Sequence, residues 1–332
     1  MIRVGLLGTG RIGSLHAESI ASHRESTLTA VSDINDETAN NLAAQYGAIV
    51  KSADEIISDT NIDAILIATS TDTHSDFIEK AAAAGKAILC EKPVDLSLIR
   101  AKECLDKVSA AKNPIMVGFN RRFDPNFAQL KKSLDNGEIG NRELLTITSF
   151  DPAPPPISYV KTSGGLYRDM MIHDFDLSNF IMGELPISIS AVGHSLVDPA
   201  IGVAGDVDTA VVTMVYADGK IAVIKNSRRA AYGYDQRIEI LGSEGLLQAE
   251  NILENSVVKS NNDGVISAKP KYFFLERYIG AFKAEWDAFL NSIHNHKPVP
   301  VTLNDGVAAL AMAEAATQSQ NTGKSIQLKE LL

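Results

Sequence analysis

Over the first 118 residues, short unbroken apolar runs alternate with helical patterns, and few folds accept that alternation. Arg3 to Leu7 is a β-rich run, and Ile12 to His23 reads as a helix. Thr27 to Ser32 is apolar and branched; Glu37 to Tyr46 is amphipathic, with Leu42, Ala43 and Tyr46 at helical spacing. Ala64 to Ala68 is apolar throughout, and His74 to Ala84 is an alanine-rich helix that Gly85 caps. Ala87 to Cys90 and Ile115 to Val117 are further strands, with a helix from Leu96 to Ala111 between them. A strand wet on one face alternates polar with apolar residues. Runs without that alternation are buried on both faces, as in parallel sheets. The pattern predicts an α/β fold whose N-terminal part, residues 1–118, is a doubly wound parallel sheet.

After Gly118 the texture changes. A helix over Phe127 to Leu134 and a strand over Leu144 to Phe150 precede Asp151-Pro152-Ala153-Pro154-Pro155-Pro156, whose four prolines lack the donor a sheet interior needs. That segment is expected as a surface loop at the rim of a cleft. Gly164-Gly165 precedes a single helix expected from about Leu166 to Phe180. Ile187–Val192, Thr209–Tyr216, Lys220–Asn226, Arg237–Leu241 and Leu246–Ala249 then alternate with period two between short turns, the mark of an antiparallel sheet. Tyr272 to Ile293 and Asp305 to Gln320 close the chain as helices. Residues 119–332 are therefore expected to form an α+β domain on a large, mainly antiparallel open sheet.

At 332 residues the chain accommodates two cores. Its formal charge of −10 argues against a polyanionic partner, and no basic cluster with interleaved aromatics points to nucleic acid. Two cysteines, Cys90 and Cys104, make neither a disulfide framework nor a zinc knuckle. No apolar stretch approaches the roughly 20 residues of a membrane span. The chain enters a strand directly, with no signal-like segment before it, so the expected compartment is the cytoplasm.

Gly8-x-Gly10-x-x-Gly13 follows the first strand and opens the first helix, the context in which this spacing reads as a Rossmann dinucleotide-binding turn. Gly8 permits the tight turn, Gly10 lets backbone approach a pyrophosphate, and Gly13 lets the helix, beginning at Arg11 and Ile12, pack on the strand. Helix N-terminal amides then hold the phosphates. Asp33 ends the second strand where a carboxylate meets the adenosine ribose hydroxyls, and its neighbours include no arginine for a 2′-phosphate. NAD is the expected cofactor; the other reading is that Asp33 caps the next helix. Thr69, Ser70 and His74 follow the next long strand and are candidates to line the cofactor, with a surface position at the helix start as the alternative for His74.

Two elements carry candidate chemistry. Glu91-Lys92-Pro93 places a charged pair at a strand's carboxyl end, where open α/β sheets bind ligands. Lys92 there could hydrogen-bond a substrate oxygen or lose its proton near a cationic ring; the plainer reading is a solvated ion pair. Asp169 and His173 are four apart, so on one helix they share a face, and Asp176 lies near it. A histidine can accept a hydroxyl proton as hydride leaves the same carbon, and a carboxylate orients it. A purely structural pair is the alternative. A metal site is a third reading, though the chain offers no further His/Cys ligand set.

The ordered set Gly8-x-Gly10-x-x-Gly13, Glu91-Lys92-Pro93 and Gly164-Gly165-x-x-x-Asp169-x-x-x-His173 resembles the glucose–fructose oxidoreductase-like (Gfo/Idh/MocA) dehydrogenases over nearly the whole chain. Gly118 to Pro125, Asp151 to Pro154 and Tyr232-Gly233-Tyr234-Asp235 look like that family's inositol 2-dehydrogenase branch. The resemblance implies a Lys92–Asp169–His173 triad: His173 as proton acceptor, Asp169 orienting and binding substrate, Lys92 on the reacting oxygen. It implies oxidation of an inositol at C2 to a keto-inositol (scyllo-inosose from myo-inositol), with Asn120, Arg122, Asp151 and either Tyr232 or Tyr234 as ligands of the polyol or cofactor. It also implies a homotetramer built on the open sheet face. Phe150 stands where that branch carries a polar or basic residue, which affects the rim rather than the triad. The alternatives are the same chemistry on another cyclic polyol or sugar, such as scyllo-inositol or an aldose, and a nucleotide-sensing regulator that kept only the fold.

Overall fold

The computed structural model describes all 332 residues. The chain divides into two compact units: Met1–Phe123 with Ala281–Val307, and Asp124–Gly280 with Ala308–Leu332.

In the first unit, strands β1 (Ile2–Leu7), β2 (Ser26–Ser32), β3 (Ile49–Val50), β4 (Ala64–Ile67), β5 (Ala87–Glu91) and β6 (Ile115–Gly118) form a parallel sheet in the order β3-β2-β1-β4-β5-β6. Helices α1 (Arg11–Ser22), α2 (Asp36–Tyr46), α3 (Ala53–Ser58), α4 (His74–Ala83) and α5 (Leu98–Val108) connect them. Leu6, Leu7, Ile65, Leu66 and Leu89 are fully buried, as expected for strands covered on both faces. The strand order reverses between β1 and β4, which opens a crevice at their carboxyl ends. Residues 281–307 return to this unit, unlike the single division expected at residue 118. Aromatic packing accounts for the return: Trp286 is buried and its Nε1 donates to Ser26 Oγ at 3.0 Å, while Phe282 meets the His16 ring edge-on with centroids 5.2 Å apart.

The second unit begins with α6 (Pro125–Asp135), capped by Asp124, whose side chain accepts from the Asn126 and Phe127 amides. Its sheet contains β7 (Arg142–Phe150), β8 (Ser188–His194), β9 (Thr209–Val215), β10 (Ile221–Ser227), β11 (Asp235–Gly242) and β12 (Gly245–Ala249). A separate ribbon, β13 (Val258–Asn261) with β14 (Gly264–Ser267), follows, and β15 (Ile326–Gln327) completes the large sheet in the order β12-β11-β7-β10-β9-β8-β15. The sheet is mainly antiparallel, but β7 and β10 pair in parallel, which the short turns alone do not signal.

One face of this sheet is apolar and covered; Leu145, Ile147, Ile224, Val212, Ile238 and Ile240 are buried there. Towards one end, that face becomes polar. Asn226, Ser149 and Gln236 stand opposite one another in a single row across β10, β7 and β11. The buried Asp174 docks on the row: Asn226 Nδ2 donates to its Oδ2 at 2.8 Å, and the Ser149 hydroxyl lies 3.0 Å from its Oδ1 and 2.6 Å from Gln236 Oε1. Buried polar groups are costly unless paired, so this row fixes the rotation of the helix that carries Asp174. Asp174→Ala should lower the unfolding free energy by roughly 1–3 kcal/mol, because the Asn226 amide loses its buried acceptor. An unchanged denaturation midpoint would show that the row contributes nothing.

Candidate active site

The glycines of the first turn differ in what surrounds them. Gly8 has φ +94°, and a Cβ on it would lie 2.3 Å from the Ala68 carbonyl oxygen. A Cβ on Gly13 would lie 2.0 Å from the Gly8 oxygen, so helix and turn touch backbone to backbone. A Cβ on Gly10 would meet nothing within 4 Å. Gly10 is also the N-cap of α1 and makes no side-chain capping bond. The exposed Arg11 and half-buried Ile12 follow it. Open backbone at a helix N-terminus is what a pyrophosphate needs, and the turn fits a dinucleotide.

Asp33 does not cap α2; Asn35 does, accepting from the Glu37 and Thr38 amides. Asp33 instead reaches back to the glycine turn, accepting from Thr9 N at 2.6 Å and Thr9 Oγ1 at 3.0 Å, and from Asn35 N at 2.9 Å. Partial burial alone would lift its pKa, but the Asn35 and Thr9 amides and the Thr9 hydroxyl outweigh it and hold the carboxyl below its ordinary range. An ionised carboxylate thus stands at the end of β2, beside the turn. Thr69 is half-buried, its hydroxyl 2.7 Å from that of Thr73, and Ser70 is exposed beside it.

Two candidates are buried and hydrogen-bonded within the protein. His74 is 1% exposed, with Nδ1 2.8 Å from the Pro93 oxygen and Nε2 3.1 Å from the Thr69 oxygen. It ties the loop after β4 to the loop after β5. Glu91 is buried and engaged by His16 of α1, whose Nε2 lies 2.7 Å from Oε1, while Oε2 accepts from Lys92 N at 3.2 Å. The Glu91 carboxylate therefore sets the backbone from which the half-buried Lys92 emerges, beside the cis bond to Pro93. His16 was not read from the sequence, although it lies three residues beyond Gly13 on the same helix face. Asn120 and Arg122 are buried after β6, and the Arg122 guanidinium engages Asp305 at 2.9 Å and the Pro300 oxygen at 3.1 Å.

In the second unit the expected long helix is broken. Helix α7 (Ile157–Val160) follows the proline-rich segment, and α8 (Gly165–Asp169) is separate from α9 (Ile172–Met182). Gly164 and Gly165 have φ +85° and +83°, a conformation glycine accepts readily, and Asp206 Oδ1 takes the Leu166 amide at 3.0 Å. The break comes from Leu166 O, which accepts from both Met170 N at 3.0 Å and Met171 N at 2.9 Å. The second bond spans five residues and inserts a bulge, so Asp169 and His173 do not share one continuous helix face as their spacing suggested. Asp169 ends α8; the half-buried His173 lies in the first turn of α9.

Asp169 is held from two sides. Tyr159 of α7 donates to Oδ1 at 2.9 Å, and Arg228 Nη2 donates to Oδ2 at 3.2 Å. Arg228 Nη1 lies 3.8 Å from Asp151 Oδ2, which joins two predicted site residues through one unpredicted arginine. Arg228 did have a signal: it continues the inward register Ala222, Ile224, Asn226 past the end of β10, where the pattern turns polar. The two tyrosines also separate. Tyr234 is buried, edge-on to Tyr278 with centroids 6.0 Å apart. Tyr232 is 47% exposed and donates to Asp235 Oδ2 at 2.6 Å. Partial burial, and then the Asp235 carboxylate, push the Tyr232 phenol up to about 12, so it stays a neutral hydroxyl. Lys92 belongs to the first unit, and Asp169, His173 and Tyr232 to the second. No group of three or more His, Cys, Asp or Glu side chains could hold a metal ion, and no helix is long and apolar enough to cross a membrane.

Residues 2–119 match the oxidoreductase family's NAD-binding Rossmann fold, and residues 131–328 match the oxidoreductase family's C-terminal alpha/beta domain. The chain is 47% identical over 327 residues to the inositol 2-dehydrogenase of Rhizobium meliloti, covering 98% of this chain and 99% of that protein. It superposes on a myo-inositol dehydrogenase from Corynebacterium glutamicum with a TM-score of 0.95 at 40% identity, covering 99% of both chains. For a scyllo-inositol dehydrogenase from Lactobacillus casei with bound NAD(H) and scyllo-inositol, the TM-score is 0.93 at 31% identity, again over 99% of both chains.

His74 predicts an acid sensitivity. Burial outweighs its two carbonyl neighbours and lowers its pKa, and a neutral imidazole has one N–H for the pair. As pH falls below about 6.5, the unfolded chain takes up this proton first. The contribution of His74 to stability is full above that pH and declines as pH falls towards its folded pKa. Between pH 7 and 5 the unfolding temperature should drop less steeply in His74→Gln than in the parent. Equal slopes would remove His74 as a source of the sensitivity.

Proposed function

The chain belongs to the Gfo/Idh/MocA oxidoreductase family, and on that footing we propose that it oxidises the C2 hydroxyl of myo-inositol to the keto-inositol with NAD. The observation that carries this is the pairing of an open glycine turn and ionised Asp33 with Lys92 along one edge of one sheet. Near full-length likeness to an inositol 2-dehydrogenase supports it. Asp33, with no arginine beside it, receives ribose hydroxyls and repels a 2′-phosphate. Held by the glycine turn and Asp33, NAD would supply the acceptor for the hydride that leaves C2. His173 accepts the hydroxyl proton, so the C–H and O–H bonds break as the C=O bond forms. Lys92 donates to the reacting oxygen, where the developing carbonyl needs a positive neighbour. Asp169 accepts from a substrate hydroxyl. Tyr232 or Tyr234 offers its phenol to the polyol, and Tyr232 is the more exposed of the two. Asn120, Arg122 and Asp151 complete the set of groups for polyol or cofactor.

A second reading is the same reaction on scyllo-inositol, favoured by the likeness to the Lactobacillus casei enzyme. Epimers differ in which hydroxyl meets which partner, so the rim decides between them. The protein works in the cytoplasm as a homotetramer. The uncovered face of the large sheet supports the assembly: Leu246, Leu241, Leu144 and Ile221 stand opposite one another across β12, β11, β7 and β10, each about 40–47% exposed. An apolar row of that length on an open face marks an interaction surface.

His173→Ala should lower inositol-dependent NADH formation by roughly 10²–10⁴-fold while NAD affinity stays within twofold. Full turnover in this variant would remove histidine from the proton transfer. NADH formed with scyllo-inositol but not with myo-inositol would select the second reading.

A further inference from the structure

Arg228 has no place in the roles above, yet it is among the most deeply buried charges in the second unit, at 2% exposure. Its guanidinium reaches two carboxylates, Asp169 at 3.2 Å and Asp151 at 3.8 Å. Resting on the reading of Asp169 as a substrate-orienting carboxylate, we propose that Arg228 is a positioning residue that acts on substrate through Asp169.

The backbone around Arg228 is built to hold it. Its own amide donates to the Asp208 oxygen at 2.8 Å. Asp208 is in turn fixed by the Leu196, Val197 and Asp198 amides. On either side of Arg228, the Ser227 oxygen takes the Asp151 amide at 2.9 Å, and the Ala230 amide donates to the Asp151 oxygen at 2.7 Å. The guanidinium is thus anchored to the same segment as Asp151, and its fork leaves that segment to meet Asp169.

At Asp169 the consequence is directional. The guanidinium takes Oδ2 and the Tyr159 phenol takes Oδ1, so neither oxygen is free to rotate. The plane of the carboxylate thus has a fixed direction, as a carboxylate that must orient one hydroxyl of a polyol ring requires. Arg228 also stands between two carboxylates, Asp151 and Asp169, and its charge opposes their mutual repulsion. A lysine could meet one of them as a point charge but has no planar fork to span both.

The test is a double-mutant cycle of Arg228→Met and Asp169→Asn, with Arg228→Lys alongside. Kinetics with inositol, NAD affinity and unfolding temperature are measured for each. Arg228→Met should lower kcat roughly 10–100-fold with NAD affinity within twofold, since misplacing an orienting group slows turnover without touching the nucleotide. Arg228→Lys should recover part of that loss. The double variant should be little slower than Asp169→Asn alone, because the shorter of the two contacts of Arg228, and the one proposed to act on substrate, is with that carboxylate. If Arg228→Met does not fold, Arg228→Lys and the double variant, which removes both charges, carry the same comparison. A folded Arg228→Met with parental kcat, or losses that multiply in the double variant, would overturn the inference while leaving the function intact, provided His173→Ala is inactive. A parent protein that forms no NADH with any inositol would overturn the function, and the positioning role with it.

Discussion

The seating of α1 on β1 determines what happens at the carboxyl edge of the first unit. It depends on a missing side chain, since a Cβ on Gly13 would lie 2.0 Å from the Gly8 oxygen. Backbone cannot yield to such a contact cheaply. Without it, α1 lies close enough for His16 to reach Glu91 at 2.7 Å, and Glu91 takes the Lys92 amide at 3.2 Å. The glycine that admits a phosphate-binding helix therefore also determines where the lysine begins. His74 adds a second tie, between Pro93 and Thr69, so that the loops after β4 and β5 are held as one piece.

The second unit solves a related problem with polar groups instead of a missing one. Its sheet is apolar along most of its covered face and turns polar at Asn226, Ser149 and Gln236. Asp174 docks on that row and sets the rotation of α9, and His173 is the residue before it. At the same end, Arg228 and Tyr159 set Asp169. In the proposed reaction, the proton acceptor would follow the buried Asp174 and the orienting carboxylate would rest on the buried Arg228 and the exposed Tyr159. That is how a site on short helices and loops achieves the rigidity that orientation demands.

Much of this was legible in the sequence, and the rest failed for identifiable reasons. Unbroken apolar runs and the glycine spacing pointed to the parallel sheet and its turn, because burial on both faces leaves a one-dimensional signal. The period-two segments pointed to the second sheet. They could not reveal that β7 and β10 run parallel, since register and direction are tertiary facts. The spacing of Asp169 and His173 suggested one helix face, but the five-residue bond from Met171 to Leu166 O broke it, and no residue type announces such a bulge. His74 read equally as a cofactor candidate or a surface residue at a helix start, and its burial removes the surface reading. Tyr232 and Tyr234 were indistinguishable until burial separated them. Arg228 was recoverable only by following the inward register of β10 beyond its last strand residue.

The convergence of Lys92, Asp169 and His173 on one carbon is the claim from which the chemistry follows. A crystal structure of the protein with NAD and myo-inositol bound measures it most directly. The Lys92 ammonium and the His173 imidazole should both lie within about 3.2 Å of the C2 hydroxyl oxygen, with an Asp169 oxygen on a hydroxyl of the same ring. A bound inositol whose C2 oxygen is reached by neither lysine nor histidine would contradict it.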